Sequence, residues 1–101
     1  MPRYLVERTF YVPARAGAAT DGHAADHCEK VIRANSREGV TWIHSFVTLD
    51  RCRSFCIVDS PSPEAIRVAS QATALPVDRI TEVRIFDPYF LIGRYPLTEV
   101  T

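Results

Sequence analysis

Residues 41–59, TWIHSFVTLDRCRSFCIVD, constrain the fold more than any other segment, because they read as a β-hairpin with apolar side chains on both faces. A strand on a solvent-facing sheet alternates apolar with polar residues. Here Trp42 and Phe46 are expected on one face and Ile43, Val47 and Leu49 on the other. Both faces therefore need cover. A layer of helices supplies one cover, and a second copy of the chain is the simplest source of the other. His44 and Cys56 lie inside this hairpin, where each is either a satisfied core residue or part of a site.

The segments around the hairpin give its partners. Residues 3–12, RYLVERTFYV, are β-branched and aromatic and stop at Pro13, as a strand does where proline would break the ladder. Residues 13–22 are small, contain glycine and lack a period, which predicts a loop. From Asp21, available as N-cap, the positions Ala24, Cys28, Val31, Ile32 and Asn35 follow an amphipathic helical spacing that Gly39 would terminate. After the hairpin, whose turn is expected at Asp50 to Arg53, residues 60–75 predict a second helix. Ser62 is its N-cap, Pro63 its first position, Glu64 lies in its first turn, and Ile66, Ala69, Ala72 and Thr73 point inward. Pro76 would end it. Residues 79–86, RITEVRIF, alternate as a fourth strand.

This order is β-α-β-β-α-β, so the fold class is α+β. We expect a ferredoxin-like four-stranded antiparallel sheet in the order 4-1-3-2, with two helices on one face. The helix-free face would be an apolar patch, and closing two such faces into a dimeric α/β barrel is the expected remedy. The ferredoxin-like domain spans residues 1–90. A tail, residues 91–101, is too apolar for a disordered terminus and is expected to pack on the domain or on the dimer partner.

At 101 residues the chain is one domain with a modest core. Twelve Lys plus Arg balance twelve Asp plus Glu, which removes the electrostatic case for nucleic acid. The three cysteines form no CxxC, and the sequence holds no phosphate loop, nucleophile elbow or HExxH. Without a membrane-length apolar run, the chain reads as soluble and cytoplasmic.

Several residues could carry chemistry. If the hairpin loop holds an even number of residues, His44 and Cys56 fall on opposite faces, whereas an odd loop or a bulge would let both ligate one ion. Glu7 and Arg8 sit mid-strand, so at least one of them is buried, paired or lining a cavity. Glu7 shares a face with Tyr11, and Glu82 and Arg84 would join it in a polar pocket if they face the helix-free side. A cross-strand Glu–Arg pair is the structural alternative. His23 and His27 are four apart on a helix, a spacing that either chelates a divalent ion or marks a solvated shoulder. Cys52 stands between Arg51 and Arg53, which favour its thiolate.

RYLVERTF at the start, WIHSFV followed nine residues later by Cys56-Ile-Val, the PSPEAIR helix and LPVDRITEV together resemble a family of small ferredoxin-like proteins. It is domain-of-unknown-function family 4242, whose named example is an actinobacterial nickel-binding protein, and the likeness covers about residues 2–90. The resemblance implies a dimeric domain that binds nickel or a similar divalent ion. It places the family's strand histidine at His44, its strand cysteine at Cys56 and its first-strand glutamate at Glu7. Where relatives often carry a helix histidine, two residues after the arginine matching Arg67, this chain has Ala69.

Three readings follow. The first is a homodimer binding a divalent metal through His44, Cys56 and Glu7, with His23 or His27 as supplements. The second is a cofactor-free isomerase or cyclase acting on a small apolar ligand, with Glu7 or His44 as general base and Arg84 or Tyr11 stabilising charge. The third is an interaction module built on the dimer face and tail.

Overall fold

The computed structural model describes residues 1–11 and 24–94. In chain order these form β1 (Arg3–Thr9), α1 (Ala24–Arg37), β2 (Thr41–Val47), β3 (Arg53–Asp59), α2 (Pro63–Ala72), β4 (Arg79–Val83) and α3 (Pro88–Arg94). All strand pairs are antiparallel and the sheet order is β2-β3-β1-β4, so β1 and β3 are central. The α+β class and the four antiparallel strands are as expected. Asp21, His23 and residues 95–101 lie outside the described residues.

Strand periodicity decides which side chains meet the helices. In β1 and the residue after it, Tyr4, Val6, Arg8 and Phe10 are buried, while Arg3, Leu5, Glu7 and Thr9 are half-buried on the other face. Ser54, Cys56 and Val58 repeat this pattern in β3. The core is centred on Val6, fully buried, with Tyr4, Val40, Val58 and Ile66 around it and Trp42 and Ile80 at its margin. Helices α1 and α2 lie against this face. From α1 it is Val31 and Ala34 that are buried, while Ile32, expected inward, is half exposed because it falls one position off the contacting stripe.

Both helices stop by the same device. At the end of α1 the Gly39 N–H donates to the Ser36 carbonyl (3.1 Å) and the Val40 N–H to the Asn35 carbonyl (2.9 Å), with Gly39 at φ +72°. This is a Schellman closure, and the left-handed backbone is why glycine stands there. Helix α2 starts as expected, with the Ala65 N–H donating to the Ser62 hydroxyl (3.2 Å) and Pro63 in the first turn. It ends three residues earlier than expected. Ala74 N–H donates to the Gln71 carbonyl (3.2 Å) and Leu75 N–H to the Ser70 carbonyl (2.9 Å), so the closure forms before Pro76 can act. Consequently Ser70, not Ala72, joins Ile66 and Ala69 in the buried set.

Ala74 takes the glycine-like position of that closure at φ 55°. A Cβ is disfavoured there by steric contact with the following carbonyl. Ala74→Gly is therefore expected to stabilise the fold by about 0.5–1 kcal/mol, after the greater freedom of glycine in the unfolded chain is set against the relieved strain. Urea unfolding at fixed protein concentration measures it.

The hairpin departs from expectation at one residue. Trp42 pairs with Val58 but His44 with Ile57, which leaves Ile43 as a β-bulge. The bulge turns Trp42 onto the helix side, where its indole Nε1 donates to the Ser45 hydroxyl (2.8 Å), while Phe46 stays on the helix-free side. Trp42 and Phe46 thus face opposite ways. Leu49 belongs to neither face: it sits in the turn and is fully exposed. The fourth strand is also shorter than expected, because its pairing with β1 ends at Val83 opposite Arg3. Ile85 and Phe86 beyond it are exposed.

Candidate functional site

Two surfaces could carry function, one on each side of the sheet. Between α1 and the sheet lies a cavity of about 290 Å³, with Arg8, Phe10, Val31, Trp42, Ser45 and Cys56 among its walls. On the other side, the helix-free face is an apolar centre of Leu5, Phe46, Phe55 and Ile57 framed by ion pairs. Arg3 holds Asp59 through Nε (2.7 Å) and Nη2 (3.1 Å), and Arg53 reaches Glu7 (3.4 Å) while its guanidinium lies 5.1 Å from the centre of the Phe55 ring.

Hydrogen bonding from Arg3 holds the Asp59 carboxyl below its usual range. Because the folded value is the lower one, the stabilisation this pair gives is complete above the ordinary carboxylate pKa. It is lost as pH falls through the lowered value. Asp50 is shifted the same way by the Thr48 hydroxyl and the Cys52 N–H, two bonds that also close the hairpin turn.

The hairpin pairing separates His44 from Cys56. Near the turn, Phe46 pairs with Phe55 and Ser45 with Cys56, and the bulge lies beyond His44, so it leaves this parity untouched. His44 is exposed on the helix-free face, its ring edge-on to Phe46 at 5.3 Å. Cys56 is buried on the helix face, its Sγ 3.8 Å from the Ser54 hydroxyl. Glu7 shares the helix-free face with His44, but β3 runs between their strands. Two strand spacings and a two-residue offset along the strands put them about 12 Å apart at the backbone.

The remaining candidates are dispersed. Tyr11 is almost fully exposed, and Arg84 is exposed past the end of β4. Glu82 pairs with Tyr4 and so takes the helix-side register, which leaves Arg79, not Arg84, opposite Glu7. The expected polar pocket of Glu7 with Glu82 and Arg84 is therefore not formed, because β4 meets β1 in the other parity. His27 and Cys28 line the cavity, together with Cys56. Cys52 is half-buried in the turn, its thiol 3.5 Å from the Asp50 carbonyl.

Among the described residues no three His, Cys, Asp or Glu side chains are grouped so as to hold a metal ion. The described donors of a single chain therefore do not fit a metal centre. The cavity is different. It contains a buried arginine, Arg8, which the sequence flagged only as one of two charged mid-strand residues. The signal that selects it is its place in the buried series Tyr4, Val6, Arg8, Phe10. Also among the described residues, no helix is long and apolar enough to cross a membrane.

By its sheet and helices the chain is a small α+β domain with one helix-covered face and one bare apolar face. It belongs to the family described as nickel responsive protein SCO4226-like, which matches residues 4–83. The crystal structure of SCO4226 from Streptomyces coelicolor A3(2) has the same fold, with a TM-score of 0.64 over 84% of this chain and 99% of that one, at 12% sequence identity. No curated protein matches the chain.

Proposed function

We propose that the chain is a cytoplasmic homodimer of ferredoxin-like domains that binds nickel or a similar divalent ion, the two helix-free faces closing into an α/β barrel. Membership of a nickel-responsive family over residues 4–83 is the observation that carries this reading. Among the described residues one chain does not gather three donors, so each ion would be held between copies, by His44 of one and Glu7 of the other. Imidazole and carboxylate suit a borderline ion of this kind. Glu7 would have to exchange Arg53 for the metal. Cys56, buried beneath the helices, has no place in such a site.

The bare face supports the dimer independently of the metal. Phe46 is 63% exposed at its margin, and the segment after β4 adds exposed Ile85, Phe86 and Tyr89. An exposed apolar face is a candidate interface. In this reading the segment after β4 and the tail beyond it pack on the partner.

Calorimetric titration of the untagged protein with nickel chloride tests the proposal. Saturable heat with about one ion per chain, lost in His44→Ala, is expected. No heat, or heat unchanged in His44→Ala, would sink it. A second reading, small-molecule binding, is favoured by the cavity on the opposite face. Glu7, His44, Arg84 and Tyr11 do not line that cavity, so the isomerase or cyclase machinery expected from the sequence has no support there.

A further inference from the structure

The cavity between α1 and the sheet plays no part in the metal reading, and Arg8, its one permanently charged wall residue among those described, is placed unusually. Arg8 is only 7% exposed, on a central strand, among apolar side chains. Its Nη1 donates to the Pro76 carbonyl at 2.7 Å. Among the described residues no carboxylate lies within ion-pair distance of it, although Arg3, Arg33, Arg53 and Arg67 each have one. Among the described residues no fully buried side-chain nitrogen lacks a partner, so the unpaired edge of this guanidinium opens to the cavity, where an opposite charge would be favoured. The Nε and Nη2 donors make no hydrogen bond within the described residues, and that edge is the fork that fits a carboxylate with two parallel bonds.

We propose that this cavity binds a small apolar carboxylic acid as its anion, with Arg8 forking the carboxylate and the walls covering the apolar body. The polar supply matches a single charge. Ser45 accepts the Trp42 indole N–H, so its own hydroxyl proton remains available to a ligand. Among the described residues no lysine and no second arginine lines the cavity, and His27 is the other basic group in its wall, which favours a singly charged anion over a phosphate dianion. Phe10, Val31, Val58 and Ile66 make much of the wall apolar, and about 290 Å³ suits a ring-sized body at the small end of ligand sites. The bulge at Ile43 serves this site, since it carries Trp42 to the cavity side.

The alternative is that Arg8 is only a strut tying β1 to the segment after α2. Titration of the metal-free protein with benzoate, and separately with benzyl alcohol, distinguishes the two, read by Trp42 fluorescence and by the indole N–H resonance in proton–nitrogen spectra. Benzoate is expected to give a saturable shift and to bind about tenfold or more tightly than the alcohol. Arg8→Gln, which can still donate to the Pro76 carbonyl, is expected to remove that preference while retaining a cooperative melt. Absence of a saturable benzoate shift at low-millimolar concentration, or equal binding of acid and alcohol, would overturn the proposal. If Arg8→Gln does not fold, the comparison of acid with alcohol on the unaltered chain decides alone.

Discussion

Replacing Ile66 by alanine is expected to lower stability by about 2–5 kcal/mol, the range for truncating a large aliphatic side chain in a packed core. Ile66 is 2% exposed and joins α2 to Val6, Val40 and Val58 on the sheet. It is the principal large apolar side chain that α2 buries, since the helix's other buried residues are Ala69 and Ser70. A domain of this size commonly holds about 5–15 kcal/mol in all, so the loss is a large fraction of the whole. With each kcal/mol worth roughly 4–8 °C in a domain of about a hundred residues, the melting midpoint should fall by roughly 8–40 °C. Ile32→Ala, on the outward side of α1, is the control and should cost less than about 1 kcal/mol. Circular dichroism melts at one fixed protein concentration make the comparison, because dimerisation would otherwise add a concentration term. A drop no larger than that of the control would mean that α2 is not seated on the sheet as described.

Phe46→Glu is expected to turn the proposed dimer into single chains. Phe46 lies on β2 opposite Phe55 and edge-on to His44, and at 63% exposure it contributes little to the fold of one chain. In a face-to-face dimer it would be covered twice, once from each copy. Losing two phenyl groups, at roughly 1.5–3 kcal/mol each, weakens the dimer by about two to four orders of magnitude, before the cost of burying two carboxylates. Sedimentation should therefore give twice the chain mass for the unaltered protein and the single mass for the variant, with little change in its far-ultraviolet spectrum. The nickel heat should vanish along with the dimer if the ion is shared between copies. An unaltered protein that sediments as single chains at all concentrations would remove the dimer, and with it the shared metal site. Benzoate binding should be the same in both proteins, because the cavity lies on the other side of the sheet.

The elements were legible because their signals are local. Ser62 and Pro63 mark the start of α2, Gly39 marks the end of α1, and the alternation of Tyr4, Val6, Arg8 and Phe10 gives β1 a buried side. The sequence leaves parity across the hairpin open, because an odd loop or a bulge would put His44 and Cys56 on one face. An even loop sets Cys56 beside Ser45 and puts His44 on the other face, as the pairing has it. The candidate sites were less legible than the elements. Glu7 was expected to meet Glu82 and Arg84, but the register of β4 depends on where the segment after α2 delivers the chain, and it delivers Arg79 opposite Glu7.

By itself, the sequence determined the four strands and the first two helices and that one face of the sheet is left apolar, since these follow from side-chain period and capping over short stretches. Helix α3 falls in what reads as the end of the domain and a tail. Only the tertiary structure decided that Ile43 bulges, that Trp42 crosses to the helix side and that Arg8 ends in the wall of a cavity instead of in an ion pair. Those outcomes depend on how α1 and α2 fit over the sheet. A bulge or a cavity reflects a balance of packing among residues far apart in the chain, which no local pattern encodes.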